Sequence, residues 1–374
     1  MKLFKLHDYK FTVANIWRQI VFSVSAILIF IFSFEAALEL TNRNLATIVV
    51  AIVLSFLFSL SSIVIHELGH ALAAWIAGWR VHLIAIGSIE FAPAQRKFLT
   101  LSFGVRSSNI QGWVLATPQD GFGWSRGLVA VVLGGPIANL LAGTVAIGSV
   151  LILSRHYDAD LPAVLLSFGK ASIVVGITNL IPTTGHGNWK SDGAQLLSII
   201  QGIYLSPQEQ NISRLYGCYY DGLPAEQWDE KIVTELVDVT PEEQITVDPV
   251  LVFYYLKMGN LSLAQQILER HIRAVPKLPI DYSCIYAFCI AMLNRDVAKA
   301  ESILEELPKK DAQRSFCYWR ARAVCAYLLK NRREASNAIC QVRKMTRKKK
   351  MELDEGDEAI FAAILKDEEL PILN

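Results

Sequence analysis

Long apolar runs separated by short polar segments dominate the first 205 residues of the chain. Three runs have the length and composition of membrane-crossing helices, at about residues 20–34, 45–77 and 128–153. The second run has Glu67 as its only charged residue, and as a helix it would extend roughly 50 Å against about 30 Å of hydrocarbon. It must therefore tilt, kink or protrude from a bilayer. This pattern predicts an α-helical polytopic membrane protein.

A fourth apolar segment, residues 161–181, contains Lys170 near its middle. As a simple span it would put this charge at the bilayer centre, at a cost of at least about 2.5 kcal/mol. A broken helix avoids that cost if residues 171–181 and 194–205 form two half-helices around an unwound "PTTGHGNWKSDG". We therefore predict about four transmembrane segments, the fourth of them broken, with Lys170 at the outer surface.

The region between the second and third spans has a different pattern. Short runs such as "VHLIAIGSIEF" and "FLTLSFGVRSS" mix apolar and alternating stretches and are punctuated by Gly, Pro, Asn and Asp. This is typical of β-hairpins, so we predict a short membrane-associated β region at residues 80–118. Such a region can pack at the membrane interface with Trp113 and Trp124 as aromatic anchors.

After residue 205 charged residues become frequent and the apolar spacing becomes helical. The strings "AQQIL", "AESIL" and "ASNAI" begin at Ala264, Ala300 and Ala335, and each follows a turn that contains Asn or Gly. This period favours helix-turn-helix repeats that resemble tetratricopeptide repeats. We predict three regions: 1–44 with a basic start and the first helix, 45–205 as the membrane core, and 206–374 as an all-α helical-repeat domain.

Composition and charge narrow the functional classes. Of the 374 residues, 52% are hydrophobic and 19% are charged, and the formal net charge of +1 gives no indication of a nucleic-acid partner. The six cysteines all follow residue 205 without a CxxC pair, which favours reduced thiols in a helical core. The first apolar segment is either a signal anchor or a cleaved signal peptide.

Basic residues predict the orientation. They cluster before the first span and between the second and third spans, at Lys2, Lys5, Lys10, Arg18, Arg80, Arg96, Lys97, Arg106 and Arg126. By the positive-inside rule these segments and the C-terminal region are cytoplasmic. We predict a multi-pass protein of the cell membrane, specifically a bacterial inner membrane, with a cytoplasmic C-terminus.

The stretch "SSIVIHELGHALAAWIAG" places His66, Glu67 and His70 in an apolar helix. Two histidines four residues apart share one helix face, so their imidazoles can hold one zinc at about 2.0–2.1 Å. Glu67 would lie beside the metal, where a carboxylate can take a proton from water and pass it to a leaving amine. A structural role would bury three ionisable groups among apolar neighbours, and such groups in membrane segments are functional by default.

A catalytic zinc needs a third protein ligand, and Asp192 in "SDGAQLL" is the best candidate. The broken fourth segment would bring it to about the depth of His66. The alternative role of Asp192 is a helix N-cap, and both roles are compatible because capping uses one carboxylate oxygen.

These motifs resemble those of the site-2 proteases, which are zinc intramembrane metalloproteases. The resemblance rests on "HELGH" at 66–70, "GGPIANLLAG" at 134–143, and "NLIP" with "DG" between 179 and 193, and it covers residues 45–205. It implies His66, His70 and Asp192 as zinc ligands and Glu67 as the catalytic acid/base. It also implies substrate positioning by Asn179, an unwound turn shaped by Pro182, and core packing by Gly135 and Pro136. The resemblance further implies that the β region at residues 80–118 holds an extended substrate by strand addition, as the alternative to interfacial packing.

The chain departs from the family pattern after Pro182. The family aspartate usually follows the proline closely in a Leu-Asp-Gly context, whereas here ten positions separate Pro182 from Asp192 and Ser191 replaces the leucine. The intervening His186 is a rival ligand, a gating residue or a bystander. If neither residue were a ligand, the enzyme would be weakened or inactive.

We therefore predict a zinc-dependent intramembrane endopeptidase with one Zn²⁺ per chain and a membrane-protein substrate, specifically a single-pass one. The repeat domain would bind a cytoplasmic protein partner, dimerise or simply stabilise the chain, and the oligomeric state stays open. Two other functions remain: a non-catalytic membrane adaptor that uses the repeat domain, and a membrane hydrolase of a small molecule or lipid.

Overall fold

A computed structural model describes residues 13–41, 47–87, 89–93, 97–101, 112–119, 124–154, 160–184, 190–203, 205–275, 278–349 and 355–371. The chain forms two compact units, Met1–Gly222 and Leu223–Asn374. Most of the described residues are helical.

Four long apolar helices form the first unit: α1 (Val13–Leu40), α2 (Thr47–Ile76), α3 (Trp124–Leu153) and α4 (Asp160–Leu180). Each is long and apolar enough to cross a membrane. Large apolar side chains point outward from them, including Phe56 at 66% and Leu151 at 73% exposure. Helices that are apolar on their outer faces as well as their packed faces are typical of lipid-facing bundles.

Small residues bring α2 and α3 into backbone contact. A Cβ atom added at Gly69 would lie 2.4 Å from the carbonyl oxygen of Gly134, so neither position has room for a side chain. Close approach through small residues is how apolar helices associate in a bilayer. This contact fixes the face of α2 that meets α3.

The predicted half-helix that begins at residue 171 is wrong. α4 is continuous from Asp160 to Leu180, and Lys170 lies in its middle rather than at a surface end. The Lys170 ammonium donates to Glu35 of α1 at 2.6 Å and lies 5.3 Å from the Phe32 ring centroid. An opposite charge on a neighbouring helix offsets the cost that the prediction tried to avoid. The break in the fourth segment falls after Leu180, and α5 (Asp192–Ile200) follows it.

The predicted β region is a four-stranded antiparallel sheet. Its strands are β1 (Trp79–Ile86), β2 (Ile89–Ala92), β3 (Lys97–Leu101) and β4 (Gly112–Pro118), in the order β3-β2-β1-β4. Among the strands of the described residues, β4 is therefore the last at one edge. The register of β1 against β4 shifts between Val81 and Leu83. Helix α6 (Pro207–Asp221) completes the first unit and has contacts with β1 and β4.

The second unit is helical. Its α-helices are α7 (Glu230–Glu235), α8 (Pro241–Lys257), α9 (Leu261–Ala274), α10 (Ile280–Cys289), α11 (Val297–Glu305), α12 (Lys309–Ala312), α13 (Phe316–Leu328), α14 (Arg332–Lys349) and α15 (Glu355–Lys366). A π-helical turn, Ile290–Asn294, extends α10.

Three helical hairpins in this unit, α8/α9, α10/α11 and α13/α14, share one turn geometry. Gly259, Arg295 and Lys330 all have positive φ, and each is followed by an Asn or Asp whose side chain accepts from a backbone N–H of the next helix. The first alanines of the three repeated strings, Ala264, Ala300 and Ala335, are fully buried. The turns thus recur with the sequence period, while the assignment to tetratricopeptide repeats stays a prediction.

Buried thiols of this unit should resist alkylation. Burial raises the pKa of Cys289 and of Cys325 to about 12, whereas Cys340 is exposed. A thiol with a raised pKa stays protonated, and therefore unreactive, until the pH approaches that value. At pH 8 we expect iodoacetamide to label Cys340 at least about 100-fold faster than Cys289 or Cys325. Peptide mass spectrometry of the native chain measures these rates, and equal labelling would contradict this account.

Candidate metal centre

Three side chains converge where α2 meets the start of α5. His66 and His70, one turn apart on α2, point their Nε2 atoms at each other across 3.0 Å. The Oδ2 atom of Asp192 lies 2.9 Å from His66 Nε2 and 3.5 Å from His70 Nε2. The structure thus brings together the three residues that the sequence predicted as zinc ligands.

The spacing of these atoms fits one tetrahedral ion. Zinc bonds of about 2.0–2.1 Å at tetrahedral angles place neighbouring ligand atoms about 3.3–3.4 Å apart. The three observed separations, 2.9 to 3.5 Å, lie on both sides of this value. The donor set of two imidazoles and one carboxylate is a common catalytic zinc set. The residues therefore fit a zinc ion.

Gly135 of α3 makes room for the two imidazoles. A Cβ atom at this position would lie 2.4 Å from His70 Nε2 and 2.7 Å from His66 Nε2. Even alanine would therefore collide with the ring atoms that face the centre. The role of Gly135 is local to this site, beyond the general core packing that the family resemblance implied.

The far nitrogen of each imidazole has a partner that orients the ring. His70 Nδ1 lies 2.6 Å from the carbonyl oxygen of Val131, which can only accept, so Nδ1 carries the proton and Nε2 keeps its lone pair. His66 Nδ1 lies 3.1 Å from the side-chain amide of Asn139. Such partners fix the ring orientation of metal-binding histidines.

Asn139 is a site residue that the sequence prediction missed. It is fully buried in α3, and its backbone carbonyl oxygen accepts from the hydroxyl of Ser172 at 3.0 Å. The sequence does contain a sign of this role, because Asn139 is the one amide side chain within the apolar string "GGPIANLLAG". A buried amide in such a helix needs a polar partner, and here that partner is a predicted zinc ligand.

Replacing Asn139 should weaken zinc binding without removing a ligand. We expect Asn139→Leu to raise the Kd for zinc about 10–100-fold, the usual effect of losing a ligand's hydrogen-bond partner. Asn139→Asp keeps a polar group of the same size beside His66 Nδ1 and should recover part of that loss. Competition with a chromophoric chelator measures the Kd, and Thr144→Val on the exposed face of α3 is the control. An unchanged Kd in Asn139→Leu would show that the contact does not orient His66.

Hydrogen bonds join the two ends of the segment between Pro182 and Asp192. Thr183 N donates to Ser191 Oγ at 2.9 Å, and Ser191 N donates to the carbonyl oxygen of Thr183 at the same distance. An isolated antiparallel bridge joins Thr184 to Lys190. The two ends of the insertion, Thr183 and Ser191, are therefore neighbours, and the extra residues do not move Asp192 away from the histidines.

Ser191, not Asp192, caps helix α5. The Ser191 hydroxyl accepts from Ala194 N, and Asp192 occupies the first helical turn. The N-cap role considered for Asp192 is therefore wrong, because Ser191 precedes it with the extended backbone that a cap requires. Asp192 has its carboxylate directed to the histidines instead. The rival ligand His186 lies outside the described residues.

Glu67 is buried beside the ligand cluster, at 5% exposure. A Cβ atom at Gly112, the first residue of β4, would lie 2.4 Å from Glu67 Oε1. The carboxylate therefore rests against the backbone of the edge strand. A cavity of about 290 Å³ opens on both histidines, Glu67 and Asp192.

Asn179 and Pro182 lie near the cavity in different ways. Asn179 lines it, with its side-chain amide donating to the carbonyl oxygen of Val175 at 3.0 Å. Pro182 is exposed in the turn after α4. The other lining residues come from several elements and include Phe22, Ser25, Ala26, Ile29, Ser59, Thr178, Lys190 and Gln195.

Comparison with known proteins finds no matching family model, no matching curated protein and no matching solved structure. The resemblance to site-2 proteases therefore rests on the sequence motifs and stays a prediction.

Proposed function

We propose that the chain is a zinc-dependent intramembrane endopeptidase that hydrolyses peptide bonds in or beside membrane-spanning segments of other proteins. One observation carries the proposal: His66, His70 and Asp192 converge to within zinc-ligand spacing in a cavity that also holds Glu67. The cavity lies among helices apolar enough to cross a membrane. Buried ionisable residues in such helices are functional by default.

Each residue has a role in this proposal. His66, His70 and Asp192 would hold one zinc ion, with Asn139 and the Val131 carbonyl orienting the rings. When bound, zinc supplies a Lewis acid that polarises a peptide carbonyl and lowers the pKa of a water molecule. Glu67 accepts a proton from the attacking water and delivers it to the leaving amine. Asn179 lines the same cavity and would contact the substrate backbone.

The edge strand β4 offers a place for the substrate backbone. A protease needs unwound substrate, and the edge of a sheet holds an extended chain by main-chain hydrogen bonds. β4 ends the strand order and begins at Gly112, against Glu67. A substrate strand paired with β4 would therefore run past the catalytic carboxylate.

The membrane arrangement follows from the four apolar helices and the distribution of basic residues. We propose a bacterial inner-membrane protein with its N-terminus, its sheet and its second unit in the cytoplasm. α1 contributes Phe22, Ser25, Ala26 and Ile29 to the cavity. A cleaved signal peptide would leave the cavity without this wall, so retention of α1 as an anchor is the better interpretation. The second unit, as a repeat array, would bind a cytoplasmic protein.

A comparison of membrane proteomes tests this function. Cells that express the wild-type chain or Glu67→Gln would be analysed for membrane proteins that accumulate uncleaved only in the variant. We expect at least one, with single-pass topology and a wild-type fragment that ends in or next to its apolar segment. Identical proteomes from cells with zinc-loaded protein would contradict the proposal and favour a non-catalytic adaptor.

A further inference from the structure

A second polar cluster, with a buried pair of His82 and Asp221 at its centre, joins β1, β4 and α6. His82 Nδ1 lies 2.8 Å from Asp221 Oδ1, and His82 Nε2 lies 2.7 Å from the Thr117 hydroxyl. Arg80 Nε lies 2.9 Å from Asp221 Oδ2. We call these four residues the His82 cluster. None of them is a predicted zinc ligand.

Every polar atom at the centre of the His82 cluster has a partner. A carboxylate can only accept, so His82 Nδ1–H donates to Asp221, and His82 Nε2 is left to accept from the Thr117 hydroxyl. The Asp221 side chain is 4% exposed and the His82 side chain 6%. A fully satisfied buried network of this kind holds its elements in one arrangement.

The strand β1 is irregular at His82. Val81 pairs with Ala116 and Leu83 with Leu115, so His82 is the extra residue of a bulge in β1. A bulge redirects the side chain that it carries.

Helix α6 approaches His82 through a glycine. A Cβ atom at Gly217 would lie 2.9 Å from His82 Nε2, so a side chain there would collide with the ring. Gly217 and Asp221 are one helical turn apart on the same face of α6. α6 therefore contacts His82 with the backbone of Gly217 and with the carboxylate of Asp221.

β4 connects the His82 cluster to the candidate active site. Thr117, near the end of β4, bonds to His82, while Gly112 at its start lies against the carboxylate of Glu67. β4 lies at the end of the strand order and pairs only with β1 among the described strands. The His82 cluster supports the end of β4 that contains Thr117. Loss of the cluster would remove this side-chain support from the Thr117 end of the strand.

We propose that His82 and Asp221 are positioning residues that hold the edge strand β4, through α6, in the register at which it receives a substrate strand beside Glu67. This inference rests on the proposed peptidase function. It assigns α6 a role in substrate binding that is separate from metal binding.

Hydrogen exchange tests the structural half of this inference on the full-length chain in detergent. In Asp221→Ala and His82→Ala we expect the backbone amides of residues 112–117 to exchange at least about tenfold faster than in the wild type. Zinc content and exchange within α2 should be unchanged. Thr117→Val removes only the hydroxyl contact and is the milder variant if the others fold poorly. Asp238→Ala, at an exposed position outside the cluster, is the matched control.

Hydrolysis of fluorescein-labelled casein tests the functional half. We expect KM to rise about three- to tenfold in Thr117→Val and Asp221→Ala while kcat changes less than about twofold, since the catalytic groups stay in place. Unchanged exchange in β4, or faster exchange with an unchanged KM, would overturn the role of the cluster. A zinc-free, inactive wild type would instead overturn the proposed peptidase, and the exchange result would still show whether the cluster holds β4.

Discussion

Glu67→Gln should abolish proteolysis while leaving the zinc ion in place. The amide preserves the shape of a side chain that lies against Gly112, but it cannot accept and deliver a proton. Loss of a positioned general base typically lowers turnover about 10²–10⁴-fold. Hydrolysis of fluorescein-labelled casein by purified chain in detergent measures turnover, and elemental analysis of the same samples measures zinc.

Glu39→Gln is the matched control for this variant, because it makes the same chemical change at an exposed position near the end of α1. It should retain both zinc and turnover. Glu67→Gln protein that holds zinc and cleaves casein at the wild-type rate would show that Glu67 is not the acid/base. Loss of zinc in Glu67→Gln would show that the carboxylate supports the metal instead.

Asp192→Ala should remove most of the zinc. Its Oδ2 atom is the oxygen that completes the cluster with the two imidazoles, at 2.9 and 3.5 Å from their Nε2 atoms. Loss of an outer hydrogen-bond partner already costs about 10–100-fold in metal affinity, so loss of a ligand should cost at least about 100-fold. Chelator competition measures the affinity, and activity should fall in parallel.

His186→Ala is the informative companion to Asp192→Ala. We expect it to bind zinc as the wild type does, because Asp192 is the third ligand that we propose. The opposite result, zinc retained in Asp192→Ala and lost in His186→Ala, would make His186 the ligand. Asp238→Ala controls for the loss of an acidic side chain elsewhere.

Several features could be predicted because local spacing determines them. His66 and His70 share a helix face whatever the tertiary structure is, and apolar runs of this length form helices in almost any packing. The hairpin pattern of residues 80–118 likewise predicted strands that the structure contains. In each case the evidence lies within one short segment of the chain.

Other features depend on contacts between distant segments. The Lys170–Glu35 pair spans 135 residues, so no local pattern indicated that Lys170 could lie in mid-helix. Asn139 becomes a site residue only because α3 packs on α2 at Gly69 and Gly134. Long-range pairing of this kind has no local pattern in a single sequence.

The path from Pro182 to Asp192 shows the same limit. From the sequence alone the third ligand stayed open, because a separation of ten positions can place Asp192 far from the histidines. The paired hydrogen bonds between Thr183 and Ser191 return the chain to its starting point. Asp192 therefore stands where a much shorter connection would place it.

Zinc content of the purified wild-type chain is the most direct test of the proposed metallopeptidase. The full-length protein would be extracted in mild detergent, exposed to zinc, freed of unbound metal and analysed for zinc per chain. We expect one zinc ion per chain in the wild type and in Glu67→Gln, and a stoichiometry near zero in Asp192→Ala. A folded wild-type chain that holds no zinc under these conditions would contradict the account.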